Sequence, residues 1–321
     1  MSKPKALVTD LSHWDQESFN IIGERFEVLE FTSLGDKESS CEIIFTKLEM
    51  SIDSKLMDKL PHLKTIATPT TGLNHIDIHE ASHRGIMIIS LKGEYAFLEK
   101  VNATAELTWA LLLALIRKLP TACSDLSLKK WDRNPFKGIE LHEKNLGVIG
   151  LGRLGTKIAR FGNAFGMHVV ACDPAPSTGN PDHVELVSLD ELLIKADIIS
   201  IHVNYCKETV NLLGKEQFSM MKPGVILINT SRGGIVNENA LLARLSSGKI
   251  GGAALDVLEG EYSGAQDWTF HDPLIAYADT HDNLLITPHV GGLTFESTAM
   301  TERFIVAKAI EKHFLHNEAI K

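Results

Sequence analysis

Short apolar runs recur through this chain, and each is separated from the next by a segment long enough to form a helix. In the first hundred residues these runs lie roughly 20 residues apart, a spacing typical of strands joined by helical crossovers. They are KALVTD, FEVLEF, CEIIFTK, KTIATP and IMIISLK. Strands that alternate with helices form a parallel sheet with helices packed on its faces. The alternation therefore predicts an α/β fold.

A second series of the same kind begins at Asn145, and it contains six apolar runs that suit a doubly wound sheet. They are NLGVIG, MHVVACD, ADIISIHV, GVILINTS, GGAALDV and NLLITPH. The last segment, STAMTERFIVAKAIEKHFL, has a helical pattern, and we expect it to return to the first domain. At 321 residues the chain exceeds what one hydrophobic core usually supports. We therefore expect two parallel-sheet domains, one formed by residues 1–100 plus 297–321 and one by residues 101–296.

Local signals predict several helices between the strands of the second series. The spacing of Ser188 and Glu191 in SLDE is that of a capping box. The segment ATAELTWALLLALIRKLP is apolar around most of its circumference, which predicts a buried helix that Pro120 ends.

A glycine motif follows the first strand of the second series. Gly150, Gly152 and Gly155 have the spacing G-x-G-x-x-G, which is weak evidence alone because glycines mark tight turns in many folds. Here they precede a helix, and that context is the one a dinucleotide fingerprint requires. The core face of this helix is predicted to consist of Leu154, Ile158, Phe161 and Phe165. The alternative is a structural turn in a protein that binds another nucleotide or none.

Asp173 lies at the end of the next strand, 21 residues after Gly152. An acid at that distance accepts hydrogen bonds from the adenosine ribose and repels a 2′-phosphate. The cofactor predicted is therefore NAD in preference to NADP.

Three later strands end in polar side chains: Arg232 in NTSRGG, Asp256 and Glu261 in ALDVLEGE, and His289 in TPHVGG. Each residue alone has an ordinary explanation as part of a surface loop. Together they place a guanidinium, carboxylates and an imidazole at the carboxyl edge of a sheet predicted to bind NAD, which is where such sheets bind ligands.

This set of groups suits hydride transfer between a nicotinamide and the carbon of a small anionic 2-hydroxy or 2-keto acid. His289 would transfer the accompanying proton, since imidazole titrates near neutral pH. Glu261, hydrogen-bonded to the other ring nitrogen, would favour the imidazolium. Arg232 would bind the carboxylate and the developing oxyanion, and Asp256 would orient the nicotinamide carboxamide.

Composition limits the possible partners and location. The net charge of −9 and the scattered basic residues argue against nucleic acid as a partner. The N-terminal residues do not resemble a secretory signal, and the run WALLLALI is too short to span a membrane. The four cysteines lie far apart, which is typical of reduced packing residues rather than a metal site. We expect a cytoplasmic protein with no membrane partner and no metal.

The sequence resembles the D-isomer-specific 2-hydroxyacid dehydrogenase family and is phosphoglycerate dehydrogenase-like. The motifs that carry the resemblance are TPTTGLNHIDI, TAELTWALLLALIR, WDRNPFKGIELHEKNLGVIGLGRLG, HVNYCKET, INTSRGGIVNENAL, GGAALDVLEGE and TPHVGG.

The resemblance implies a Rossmann NAD-binding domain inserted into a flavodoxin-like substrate domain. It implies that Arg232, Glu261 and His289 are the catalytic residues, and that backbone amides at Thr71, Gly72 and Leu73 bind the substrate carboxylate. It also implies a homodimer formed through the nucleotide domain. Besides the three glycines, the residues that it assigns to the cofactor are Thr104, Arg153, Leu154, Asp173, Val203, Asn204, Thr209, Thr230 and Asp256.

The chain departs from the family pattern at Asn204 and Tyr262, where proline is frequent. The connection between Glu261 and His289 contains several polar and aromatic residues, so the rim of the site is expected to be individual. We expect no room for the regulatory C-terminal domain of long phosphoglycerate dehydrogenases.

Other functions remain compatible with parts of the pattern. Formate dehydrogenases lack the Glu–His arrangement, and phosphite dehydrogenases use a lysine in the loop that matches Thr71 to Leu73, so neither is favoured. An NAD(H)-sensing protein similar to transcriptional corepressors is the alternative from another class. Glyoxylate, hydroxypyruvate, 3-phosphoglycerate and longer keto acids are all compatible substrates.

Overall fold

The computed structural model describes residues 3–31, 40–175, 183–262 and 267–319. The chain divides into two compact units. The smaller unit consists of Met1–Val101 together with Leu293–Lys321, and the larger unit is Asn102–Gly292.

The smaller unit contains a parallel sheet of five strands among the described residues. In chain order they are β1 (Lys5–Val8), β2 (Glu27–Glu30), β3 (Ile43–Phe45), β4 (Thr65–Ala67) and β5 (Met87–Ile89). The order across the sheet is β2-β1-β3-β4-β5, which is the flavodoxin-like order. The helices of this unit are α1 (Gln16–Arg25), α2 (Ser54–Asp58), α3 (Ile78–His83), α4 (Tyr95–Leu98) and α13 (Phe295–Ala319).

Both faces of this sheet are buried, which explains the continuous apolar runs in its strands. Successive residues of a strand point to opposite faces. Ala6 and Val8 therefore pack in one core with Ile305 of α13, whereas Leu7 packs in the other core with Met57 of α2. Helix α13, near the C-terminal end of the chain, thus contributes to the core of the smaller unit.

The larger unit contains a parallel sheet of seven strands among the described residues. They are β6 (Asn145–Ile149), β7 (His168–Cys172), β8 (Val184–Leu186), β9 (Ile198–Ile201), β10 (Val225–Asn229), β11 (Ile250–Leu255) and β12 (Leu284–Ile286). Their order is β12-β11-β10-β9-β6-β7-β8, so the order reverses between β9 and β6, as in a Rossmann sheet. The predicted fold class of two doubly wound parallel sheets is confirmed.

Helices cover both faces of the larger sheet. They are α5 (Ala103–Ile116), α6 (Leu119–Ser127), α7 (Arg153–Ala164), α8 (Leu189–Lys195), α9 (Lys215–Met220), α10 (Glu238–Ser246), α11 (Trp268–His271) and α12 (Pro273–Ala278). Ile226 and Ile228 of β10 pack in one core with residues of α5, and Leu227 packs in the opposite core with residues of α8 and α10.

Three details of this unit differ from the sequence prediction. Strand β8 was not predicted, because it lies at the edge of the sheet and buries Val184 but neither of the two residues that follow. Pro120 does not end the buried helix. α5 ends at Ile116, and Pro120 lies in the first turn of α6, where its missing N–H removes no hydrogen bond. Phe165 is exposed at the end of α7 rather than part of its core face.

The predicted capping box at Ser188 and Glu191 is present at the start of α8.

None of the described helices is, by itself, both long and apolar enough to cross a membrane. Taken together, α5 and α6 meet that criterion in length and composition, with a bend of 63° between them.

Candidate active site

The glycine-rich turn connects β6 to the N-terminus of α7. Gly150 has a φ of +92°, a conformation that favours glycine. A Cβ atom on Gly155 would lie 1.9 Å from the carbonyl oxygen of Gly150, so residue 155 must also be glycine for the helix to start this close to the strand. A Cβ atom on Gly152 would meet no atom within 4 Å. The turn therefore leaves open space at the N-terminus of a helix, which is the cradle a pyrophosphate requires.

Asp173, directly after β7, is fixed against this turn. Its Oδ2 accepts a hydrogen bond of 2.7 Å from the backbone N–H of Leu151, and its Oδ1 accepts one of 2.9 Å from the N–H of Ala175. The carboxylate thus lies beside the glycine turn, at the sheet position where an adenosine ribose binds in Rossmann folds.

The other predicted cofactor residues lie in the same unit, and several are joined by hydrogen bonds. Arg153 and Leu154 begin α7. In the loop after β9, the Thr209 hydroxyl donates to the carbonyl oxygen of Asn204 at 2.6 Å, and the Ser231 hydroxyl donates to that of Val203. The hydroxyls of Thr230 and Thr108 are 2.7 Å apart, and the Thr108 hydroxyl also donates to the carbonyl oxygen of Thr104.

His289 and Glu261 form a hydrogen-bonded pair. The Nδ1 atom of His289 lies 2.7 Å from Oε2 of Glu261, and the side chains are 22% and 15% exposed. His289 has a φ of +53°, and its backbone N–H donates to the carbonyl oxygens of Asp256 and Thr287. With Nδ1 occupied by the carboxylate, Nε2 is the ring nitrogen available for proton transfer.

Asp256 holds the loop that carries His289. Its Oδ1 accepts hydrogen bonds from the Thr287 hydroxyl at 2.6 Å and from the Val290 N–H at 2.8 Å, and its Oδ2 accepts one from the Gly291 N–H at 2.8 Å. Burial raises the pKa of the Asp256 carboxyl, against the opposing effect of these hydrogen bonds. The expected contact with a nicotinamide carboxamide remains a prediction, whereas the role in shaping the His289 loop is visible directly.

Arg232 follows β10 and lies in a turn that packs against the turn of Glu261. Its Nη1 donates to the carbonyl oxygen of Ser231 at 2.6 Å, and the side chain of Asn229 donates to the Arg232 carbonyl oxygen. A Cβ atom on Gly233 would lie 2.1 Å from the carbonyl carbon of Leu258. The two turns therefore touch through their backbones, and this contact joins the arginine and glutamate segments of the site.

Two further side chains contact the Glu261 turn, which is a 3₁₀ turn over Glu259–Tyr262. Glu238 accepts a hydrogen bond of 2.7 Å from the N–H of Glu259. The indole ring of Trp268 covers Gly260, where a Cβ atom would lie 2.6 Å from Cε3.

Sequence reasoning did not single out Glu238 or Trp268. An acid in the first turn of a helix ordinarily indicates only a favourable interaction with the helix dipole. Trp268 falls in the connection predicted to give the site an individual rim; residues 263–266 of that connection lie outside the described part of the chain.

The loop predicted to bind the substrate carboxylate lies in the smaller unit, after β4. The Thr70 hydroxyl donates to the carbonyl oxygen of Gly72 at 2.8 Å and lies 3.1 Å from the hydroxyl of Thr68. These bonds shape a turn that contains Thr71, Gly72 and Leu73.

Comparison with known proteins places this geometry in a family. Residues 109–291 match the family "D-isomer specific 2-hydroxyacid dehydrogenase, NAD binding domain". The D-3-phosphoglycerate dehydrogenase of Archaeoglobus fulgidus is 39% identical over 258 residues, which are 80% of this chain and 46% of that protein. The hydroxypyruvate reductase of Thermotoga maritima is 35% identical over 274 residues, which are 85% of this chain and 84% of that protein.

Solved structures agree with the sequence matches. The crystal structure of D-lactate dehydrogenase from Aquifex aeolicus, complexed with NAD and lactic acid, superimposes with a TM-score of 0.80. It is 29% identical and covers 97% of this chain and 96% of that chain. The chain spans about half the length of the phosphoglycerate dehydrogenases that it matches. The match to the NAD-binding domain covers more than half of the chain, and this chain therefore belongs to the D-isomer specific 2-hydroxyacid dehydrogenase family.

Proposed function

We propose that this protein is an NAD-dependent dehydrogenase that interconverts a small D-2-hydroxy acid and the corresponding 2-keto acid. The observation that carries the proposal is the 2.7 Å pair of His289 and Glu261, in the same unit as a dinucleotide-type glycine turn. An imidazole held by a carboxylate is a competent proton donor and acceptor near neutral pH.

His289 is proposed as the acid/base, with Nε2 exchanging the proton of the substrate oxygen. Glu261 fixes the ring through Nδ1 and stabilises its protonated form. Arg232 is proposed to bind the substrate carboxylate and to stabilise negative charge on the carbonyl oxygen. Its guanidinium donates to the carbonyl oxygen of Ser231, so its orientation is set in part by the turn after β10.

NAD is the proposed cofactor, and when bound it supplies or accepts the hydride. The open space at Gly152 and the N-terminus of α7 fit a pyrophosphate, and Asp173 fits a ribose diol. A 2′-phosphate beside Asp173 would add repulsion between two anions, so we propose that NAD is preferred over NADP. A KM for NADPH equal to that for NADH would contradict this preference.

The substrate class proposed is a small anionic 2-keto or 2-hydroxy acid. Backbone amides at Thr71, Gly72 and Leu73 are proposed to bind its carboxylate. This assignment predicts that an uncharged keto analogue, such as the corresponding amide, is reduced far more slowly than the acid.

We also propose a homodimer formed through the larger unit. Support comes from a set of exposed apolar side chains in and after α6, which are Leu119, Leu126, Leu128 and Trp131. Trp131 is 92% exposed in the single chain, which is unusual for tryptophan. Light scattering should give the mass of a dimer, and W131E should lower it toward that of a monomer. A monomeric mass for the unaltered protein would refute this assembly.

A direct test of the function follows the absorbance of NADH with a panel of 2-keto acids: glyoxylate, pyruvate, hydroxypyruvate and phosphohydroxypyruvate. Oxidation of NADH by at least one acid is expected, and the ranking of kcat/KM identifies the substrate. Tight NADH binding without turnover of any acid in a broad panel would instead favour an NAD(H)-sensing protein.

A further inference from the structure

We propose that Glu238 is a positioning residue for the Glu261–His289 pair, and that it acts by holding the backbone turn that carries Glu261. The inference rests on the function proposed above and assigns a role to a side chain outside the predicted triad.

The orientation of the Glu261 carboxylate depends on the backbone that carries it. One carboxylate oxygen, Oε2, binds His289. The other, Oε1, is buried and has no hydrogen-bond partner among the residues that the structure describes. A carboxylate fixed through a single hydrogen bond keeps its direction only if the chain on which it stands is itself held in place.

The turn that carries Glu261 is held only weakly by its own backbone hydrogen bond. The N–H of Glu261 donates to the carbonyl oxygen of Leu258 at 3.4 Å, which is long for a backbone hydrogen bond. The bond from the Glu259 N–H to Oε1 of Glu238 is 2.7 Å. Of these two bonds from backbone N–H groups of the turn, the shorter is therefore the one to α10.

Glu238 lies between two parts of the candidate site. It lies in the first turn of α10, directly after the segment that contains Arg232 and Gly233. Gly233 already packs against the backbone at Leu258, and Trp268 covers Gly260 from another side. Glu238 thus links the arginine segment to the glutamate turn by a polar contact, in addition to this packing.

The charge on Glu238 is not what the positioning requires. Burial raises the pKa of its carboxyl to about 7; nearby Asp272, Glu259 and Glu261 act in the same direction, whereas the hydrogen bond from Glu259 opposes them. A protonated carboxyl still offers a carbonyl oxygen as acceptor. The contact to Glu259 therefore depends on the reach of the side chain, and glutamine is its close mimic.

Two substitutions of Glu238 separate the charge of the side chain from its length. E238Q keeps the length of the side chain and an acceptor oxygen but removes the charge, whereas E238D keeps the charge and shortens the reach by one methylene. The measurements are kcat and KM for the best keto acid, the affinity for NADH, and the pH at which turnover falls. NMR titration of the His289 ring in ¹³C-histidine-labelled protein, assigned with H289N, reports on the pair without any turnover.

E238Q is expected to stay within about threefold of the unaltered protein in kcat. E238D is expected to lose about tenfold in kcat, with unchanged NADH affinity, because Glu261 no longer stabilises the imidazolium in the right geometry. In E238D the His289 ring should also titrate at lower pH. A matched control is E191D, because Glu191 likewise lies in a first helical turn and accepts a backbone hydrogen bond, from Ser188. E191D should change neither kcat, nor the NADH affinity, nor the titration of the His289 ring.

A second variant disturbs the same turn from the other side. G260A places a Cβ atom against Trp268 and is expected to produce the same loss of kcat and the same shift of the His289 titration as E238D. The proposal is overturned if E238D titrates and turns over like the unaltered protein, if E238Q is as impaired as E238D, or if G260A leaves the His289 titration unchanged. Absence of turnover in the unaltered protein would refute the proposed function, while the NMR titrations would still decide the role of Glu238.

Discussion

The residue on which the proposed chemistry depends most is His289, whose backbone has a φ of +53°. Asparagine tolerates this conformation better than alanine does, so H289N removes the acid/base with little strain. We predict that H289N lowers kcat by at least about a hundredfold, the usual contribution of a positioned acid/base. Its dissociation constant for NADH should not change.

Stopped-flow turnover and NADH fluorescence titration would check both quantities. His183 offers a matched control, because it is an exposed histidine with a φ of +66° in the same unit. H183N should turn over normally, and comparable activity of H289N and H183N would remove His289 from the mechanism.

The raised pKa of the Glu238 carboxyl predicts that the stability of the protein depends on pH. Its pKa is raised from 4.5 to about 7, mainly by burial, so between these values the folded protein holds a proton that the unfolded chain releases. The contribution of this group to stability is therefore full below about pH 4.5 and declines as pH rises through 7. E238Q cannot titrate, and its free energy of unfolding relative to the unaltered protein should rise with pH across this range.

Urea unfolding at several pH values measures that difference. Glu191 is the control with the opposite sign, since hydrogen bonds from Ser188 lower the pKa of its carboxyl. E191Q should lose stability relative to the unaltered protein as pH rises through the acidic range. A pH-independent difference for E238Q would show that the Glu238 carboxyl titrates normally.

The residues of the candidate site could be proposed from the sequence, but most of their contacts could not. Polar residues after apolar strands indicate ligand-facing positions, and this signal identified Arg232, Glu261 and His289. The pairing of Glu261 with His289 was inferred from chemistry, and the structure places the two atoms 2.7 Å apart. In contrast, Asp256 receives hydrogen bonds from a loop that begins 31 residues later, and no local pattern shows that its carboxylate oxygens are occupied in this way.

At the scale of elements, periodicity predicted the buried strands and failed where burial is incomplete. The pattern works because a strand covered by helices on both faces must be apolar throughout. Edge strand β8 has a single buried residue, so its apolar pattern is too weak to predict a strand. Pro120 lies in the first turn of α6, where a proline starts a helix, and the sequence prediction had assigned it to the end of one.

In the connection from β6 to α7, Gly155 is expected to matter for the stability of the fold and Gly152 for the binding of NADH. A Cβ atom on Gly155 would overlap the carbonyl oxygen of Gly150 at 1.9 Å, whereas one on Gly152 meets open space. We predict that G155A destabilises the protein by about 3 kcal/mol, at the upper end for overpacking. G152A should leave stability within about 0.5 kcal/mol but weaken NADH binding, because its methyl group occupies space that the pyrophosphate needs.

Thermal unfolding with and without NADH tests this pair of glycines. Stability of G152A in the absence of cofactor should match that of the unaltered protein, and the stabilisation by saturating NADH should be reduced. Unchanged NADH affinity in G152A would mean that the pyrophosphate binds elsewhere.

At the scale of the whole molecule, the smaller unit is built from both ends of the chain and depends on contacts between them. A polar cluster makes one such contact. Glu302 of α13 is 1% exposed, and its Oε1 lies 2.7 Å from Nζ of Lys47, which is 13% exposed. Its Oε2 accepts a hydrogen bond from the N–H of Asp15, at the start of α1. The returning helix is thus joined to the N-terminal part of the unit by a buried ion pair as well as by its apolar face.

Because the Lys47–Glu302 pair is largely buried, removing one of its charges should affect stability differently from removing both. Removing one partner leaves an uncompensated buried charge, whereas removing both charges does not. K47M and E302Q are each expected to destabilise the smaller unit by about 3 kcal/mol, and the double variant K47M/E302Q by much less, since glutamine still accepts the bond from Asp15. Urea unfolding measures the coupling energy between Lys47 and Glu302. It can be followed by the fluorescence of Trp14, whose ring centroid lies 5.0 Å from Nζ of Lys47.

The exposed pair Lys195–Glu185, with Nζ 2.8 Å from Oε1, is the control and should show a coupling energy below about 1 kcal/mol. If the effects of K47M and E302Q simply add, the ion pair contributes nothing to joining the chain ends, and the contact between α13 and the rest of the unit rests on its apolar packing and its other polar contacts, such as the bond from the Asp15 N–H.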